Sequence, residues 1–215
     1  LLRGDSFPAA NGADSSGTGA STLFVHFGGD VSDEASWRAG LSYLAADAID
    51  RATDFDTGRV SFTGTSDLAI ADFVWKWAKN GNSRDRYYVV QAEYLRREED
   101  GELTVSTPLT FDEIGAYVGT QDGFYVQGVY QFRPRWRVGL RYDRLDSSND
   151  LGVVAPAPFA ADHDPSRISV MTDFSNSEFS RLRLQLNRDD SRPETDDQVV
   201  VQYIMSLGAH GAHRF

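Results

Sequence analysis

The chain has 215 residues, no cysteine and a formal charge of −11, from 21 Lys and Arg against 32 Asp and Glu. That length suits one sizeable domain or one small to medium barrel, and no shift in composition divides it. The lack of cysteine excludes disulfide frameworks, thiol catalysis and cysteine-based metal sites. The acidic balance argues against nucleic-acid binding, and no apolar run approaches the ~20 residues of a membrane helix.

Taken in chain order, Leu1 to Ser6 reads as the end of a strand already under way. No initiator methionine, basic n-region or apolar h-region precedes it, so the expectation is a fragment lacking its signal peptide and N-terminal strands. Nine full strands are predicted over about 22–31, 36–46, 66–78, 86–97, 122–132, 135–146, 167–175, 178–188 and 197–208. With the opening stub they make ten. Each has roughly the 9–11 residues that cross a bilayer at a tilt, against ~5–6 for a soluble strand.

The connections alternate. Short links rich in Gly, Pro, Asn, Asp or Ser fall at 31–35, 79–85, 133–134 and 176–178, whereas long polar loops are expected at about 7–21, 47–65, 98–121, 147–166 and 189–196. Strands running up and down place every short turn at one end and every long loop at the other, the asymmetry of outer-membrane barrels.

Within the strands, oily and ionic residues alternate with the period of two that an extended chain imposes. Trp136, Val138, Leu140 and Tyr142 share one face, and Arg135, Arg137, Gly139, Arg141 and Asp143 the other. An Arg facing lipid near the midplane costs ~2–4 kcal/mol, so the polar face should line an interior. The expected lumen-lining residues are Arg38, Asp72, Lys76, Glu93, Arg135, Arg137, Arg141, Asp143, Asp173, Arg181 and Arg183. Singly, each such residue suits a salt-bridge ladder bracing the wall. As a group, Arg135, Arg137, Arg141, Arg181 and Arg183 suit selection of a polar or anionic solute. Trp37, Trp75, Trp77, Trp136 and Tyr142 form the expected aromatic girdle. The fold class is therefore all-β, an antiparallel up-and-down transmembrane β-barrel in the outer membrane of a Gram-negative bacterium, forming a single domain over 1–215.

Arg3 to Ala9, Ile70 to Ala78, Tyr94 to Glu102, Tyr130 to Leu145, Asn176 to Gln185 and Gln202 to Phe215 resemble a proteobacterial outer-membrane β-barrel family. Its members are called porin-like or zinc-regulated TonB-dependent outer membrane receptors. The resemblance implies that this region is the C-terminal half of a larger barrel. It also implies passage of a polar solute, metal ion or metal chelate, and it names TonB as a partner for a receptor carrying a plug domain. Phe215 matches the aromatic last residue read by the barrel-insertion machinery, although Ala209 to Arg214 departs from the usual alternation and points to a short tail after Leu207.

Further signals carry less. His210 and His213 invite a zinc reading, but two neutral ligands on opposite strand faces do not close a site, and a polar periplasmic tail suits them better. Acidic loops such as 189–197 could bridge lipopolysaccharide through divalent cations, although such loops are more often simply solvated. The Asp162, His163 and Asp164 cluster is the one candidate for a hydrolase site; with no strand to fix it, no enzyme and no cofactor are expected. The partners expected are outer-membrane lipid, lipopolysaccharide, the insertion machinery and a small polar solute or metal ion, with no nucleic acid. A non-transporting barrel, its interior plugged by its own salt bridges, is the alternative.

Overall fold

The computed structural model describes residues 19–55, 58–107, 112–150, 164–177, 179–192 and 194–206. Nine strands form one antiparallel sheet in the order in which they occur along the chain. They are β1 (Ala20–Ser32), β2 (Ala35–Phe55), β3 (Gly58–Ala78), β4 (Tyr87–Ser106), β5 (Glu113–Arg133), β6 (Trp136–Asp150), β7 (Ser166–Ser177), β8 (Ser180–Asp190) and β9 (Asp196–Met205). The opening stub, residues 1–6, lies outside the described residues, as do His163, His210, His213 and Phe215. Among the described residues β1 pairs only with β2 and β9 only with β8, so the sheet is open at both edges. Among the described residues no helix is long and apolar enough to cross a membrane.

The four short connections expected from the turn residues fall at one end of the sheet, although at the other end β2 and β3 are separated by residues 56–57 alone. At the former end a 3-10 turn at Lys79–Gly81, with Asn80 and Gly81 at positive φ, starts the β3–β4 link. The Gln131 side-chain amide closes that link by donating to the Ser83, Arg84 and Asp85 carbonyls at 3.0–3.1 Å.

The far end departs from expectation. Residues 47–65 and 98–121 are mostly strand rather than loop, because β2 and β3 stay paired out to Phe55 and Gly58, and β4 and β5 out to Val105 and Glu113. Val60 and Phe62 alternate with Ser61 and Thr63, and Leu103 and Val105 with Thr104, so the period of two continues with shorter side chains. A bulge between Ala48 and Arg51 is absorbed at Ile49 and Asp50.

 The shift in register there is taken up by Asp50, at φ 53°, whose backbone N–H donates to Thr63 Oγ1 at 3.0 Å and whose carboxylate accepts from Arg59 at 2.8 Å. Asp tolerates this left-handed backbone better than most residues.

The two faces of the sheet differ in the opposite sense from a soluble protein. Leu140, Leu184 and Tyr203 are 54%, 43% and 66% exposed, while Asp173 is 0% exposed. The apolar face is bounded by aromatics at both ends. Toward the short turns, Trp77 stacks on Tyr88 at 5.4 Å, Trp136 packs on Phe174 at 4.9 Å, and Trp75 donates to the Tyr88 hydroxyl at 3.1 Å. Toward the far end, Tyr142 meets Phe124 edge-on at 5.9 Å, and the Tyr43 hydroxyl donates to Asp67 at 2.7 Å. Trp37 to Tyr43, Tyr88 to Tyr94 and Trp136 to Tyr142 each span six residues, roughly 20 Å along a strand.

Beyond that band the polar face turns apolar. Ala48, Val60, Phe62, Leu103, Val105 and Tyr117 form a buried cluster across β2 to β5. Gly64 and Gly101 face each other beneath the Phe62 ring, and a Cβ on Gly64 would lie 2.3 Å from the Asp100 carbonyl oxygen and 2.7 Å from the Gly101 Cα. Both neighbours are backbone and cannot yield cheaply. Gly64→Val is therefore expected to destabilise the folded protein by about 1–3 kcal/mol. Urea titration of the whole protein measures it, and an unchanged midpoint would contradict this packing.

Candidate functional site

The polar face carries its ionisable groups in separate clusters, each assembled across neighbouring strands. Nearest the short turns, Asp173 on β7 gathers three arginines. Arg137 Nη2 donates to its Oδ2 at 2.8 Å, Arg183 Nε and Nη2 donate at 2.8 and 3.1 Å, and Arg181 Nη1 at 3.5 Å. Register produces the convergence: Asp173 lies opposite both Arg137 on β6 and Arg183 on β8. Arg137 Nη1 also donates to the Tyr87 hydroxyl at 3.0 Å.

Further along the same face, Arg141 forks onto Asp143 at 2.6–2.9 Å and lies 3.8 Å from the centre of the Tyr125 ring. Its Nη1 donates to Gln127 at 3.2 Å, Gln127 in turn bonds Gln91, and the Tyr125 hydroxyl donates to Glu93 at 3.4 Å. On β1 to β3, Asp72 lies 3.1 Å from His26 Nε2 and 3.6 Å from Arg38. Gly40 makes room for that group, since a Cβ there would meet both Asp72 and the His26 ring. Lys76 belongs to the same row and lines a cavity at the short-turn end with Trp77, Tyr87 and Tyr88.

Ten of the eleven residues expected to line an interior thus share the polar face. Arg135 does not. It occupies the tight turn before β6 at φ 72°, exposed, with its carbonyl accepting from the Ser175 N–H at 2.9 Å. The Arg133-Pro134-Arg135 corner uses it to reverse the chain, which takes it out of the strand alternation. All five girdle residues lie on the apolar face.

The sequence reading missed one cluster altogether. Glu99, assigned to an acidic loop, is a strand residue only 3% exposed, beyond the apolar band. Arg51 Nη1 and Nη2 donate to its two oxygens at 2.7 and 3.0 Å, and Ser66 Oγ donates at 2.8 Å. Arg97 approaches to 3.8 Å, and the Arg51 guanidinium lies 4.8 Å over the Phe62 ring. The available signal was alternation within Glu98 to Glu102, where Glu98, Asp100 and Glu102 face one way and Glu99 and Gly101 the other.

Burial by itself pushes the Glu99 carboxyl up, but the Arg51 hydrogen bonds, the charges of Arg97 and Arg51 and the Ser66 hydroxyl together bring it below its usual 4.5. The Tyr117 phenol is pushed up, by burial first and the Glu99 charge second, and it donates to Asn149 at 3.0 Å.

No group of three or more His, Asp or Glu residues able to hold a metal occurs among the described residues. Asp164, the one described member of the hydrolase candidate, accepts from Arg144 at 3.0 Å.

The chain is similar to an uncharacterised protein of Aquifex aeolicus, 33% identical over 135 residues, which cover 60% of this chain and 27% of that protein. The chain therefore spans about a quarter of that relative's length. No protein-family profile matches. No solved structure matches either.

A depressed carboxylate contributes stability above its unfolded value and loses it as pH falls through the folded one. Protection of the Phe62, Leu103 and Tyr117 amides from hydrogen exchange should hold at neutral pH and decline only below about 4.5, the ordinary value for Glu99. Glu99→Gln should lower protection at neutral pH and flatten that acid limb. An unaltered acid limb in the variant would remove Glu99 as its cause.

Proposed function

We propose that this chain forms part of the wall of an outer-membrane β-barrel, its apolar face against acyl chains and its polar face against an aqueous lumen through which a polar solute or a metal chelate passes. The observation that carries the reading is the inverted burial of the sheet: large apolar side chains on β6, β8 and β9 are open, and the carboxylate of Asp173 is closed off. In water such an apolar face would demand a partner, since contiguous exposed patches of this extent mark an interaction surface. Lipid satisfies it without a second layer of protein. The girdles support the same placement, because their spacing is on the scale of the ~25 Å apolar band of outer-membrane barrels.

The short-turn end then faces the periplasm, and the long hairpins of β2 to β5 project outward beyond the membrane with their own apolar cluster. Passage is porin-like, or it is driven through TonB in a whole protein that carries a plug domain. A second reading, a non-transporting barrel, is favoured by the extent to which the wall's ionic groups satisfy one another, above all around Asp173 and Arg141.

Two measurements on the whole protein test these readings. Leu184→Arg should cost ~2–4 kcal/mol in urea titrations from phospholipid vesicles, whereas Gln185→Arg on the opposite face should cost little. Equal costs would sink the lipid-facing assignment. In a planar bilayer the protein should conduct; a silent but folded barrel would end the passage reading and leave the non-transporting one.

A further inference from the structure

Three guanidiniums converge on one carboxylate at the short-turn end of the polar face, and that imbalance is the feature the wall does not need for its own stability. One arginine neutralises one buried aspartate. Arg137 and Arg183 both hold Asp173 at 2.8 Å, and Arg181 adds a longer contact at 3.5 Å. At this height the neighbouring polar-face side chains are Tyr87, Val89, Gln131, Ser175, Gln202 and Ile204, none of them acidic. Among the described residues the cluster therefore keeps an excess of two positive charges inside a chain of net charge −11.

Its donors are also in excess. Three guanidiniums offer roughly fifteen N–H donors. Asp173 and Tyr87 accept five hydrogen bonds from them. The Nε atoms of Arg137 and Arg181 are buried without any hydrogen-bond partner. Holding three like charges together with unused donors is costly, and an oxyanion relieves both costs, because arginine forks match the paired oxygens of carboxylate and phosphate.

We infer that Arg137, Arg181 and Arg183 form a binding site for an oxyanion, the phosphate or carboxylate group of a small solute, with Asp173 as the residue that positions them. Arg181 is the principal ligand. It is the most exposed of the three and the most loosely tied to Asp173, so it can turn toward an incoming anion while Arg137 and Arg183 keep the aspartate paired. The site stands on the geometry of the cluster, and only its role as a station on a permeation path rests on the passage reading.

Equilibrium binding of radiolabelled inorganic phosphate to the whole protein in detergent, with succinate as competitor, tests the site without requiring conductance. Saturable binding is expected, weakened at least about tenfold by Arg181→Gln, the loss of one charge-assisted hydrogen bond. Gln202→Glu, which sets a carboxylate opposite Arg183 on exposed β9 without disturbing Asp173, should weaken it similarly and decides the matter where Arg181→Gln fails to fold. Displacement by succinate marks the site as a carboxylate site as well; resistance to succinate restricts it to phosphate. Absence of saturable binding, or binding untouched by both variants, overturns the inference, whereas a silent bilayer with phosphate binding intact overturns passage alone.

Discussion

Every property of this sheet hangs on the two-residue period of an antiparallel ladder holding its register. A slip of one residue would carry Arg137, Arg141 and Arg183 to the apolar face and Leu140 and Leu184 to the polar one. The ladder resists this where it matters. Its irregularities fall beside the short turns, at Asp30/Ser32, Gln131/Arg133 and Ser175/Ser177, and beyond the band at Ala48/Arg51. Between the two aromatic girdles the pairing is unbroken, so the sorting of side chains into two chemistries is unbroken too.

That sorting dictates the energetics. In a soluble sandwich the apolar face would be buried and the charges solvated; here the charges are withdrawn and must be satisfied by one another. Burying an ion is expensive unless it is paired and hydrogen-bonded. Asp173 meets that condition by taking Arg137 and Arg183 from the strands on either side of it, and Glu99 on β4 by taking Arg51 from β2, across the intervening β3. The long hairpins of β2 to β5 obey a further demand. Their ends rise past the band, and they brace themselves with Phe62 and Tyr117 laid over glycines that leave no room for a side chain.

Much of this was legible along the chain, and the failures share a cause. All nine strands, the four short turns, the apolar-face placement of the five aromatics and the shared face of ten of the eleven ionic residues follow from local alternation and turn chemistry. The far halves of β2 to β5 did not, because acidic and small polar residues such as Glu98, Asp100, Thr63 and Gly64 carry a loop-like composition, and composition outweighed the short alternation beneath it. Arg135 failed for the opposite reason: strand periodicity was extended one residue too far into a corner that needs a positive φ.

By itself the sequence determined the class of the fold, the two chemistries of its faces and four of its tight turns, since each depends only on near neighbours. Which charges meet was decided by tertiary structure. Asp173 lies far from Arg137 in the chain and close to it in space only because β6, β7 and β8 pair in one particular register, and Glu99 is buried only because β2, β3 and β5 extend alongside it. Long-range pairing is a property of the assembled sheet, and no window along the chain contains it.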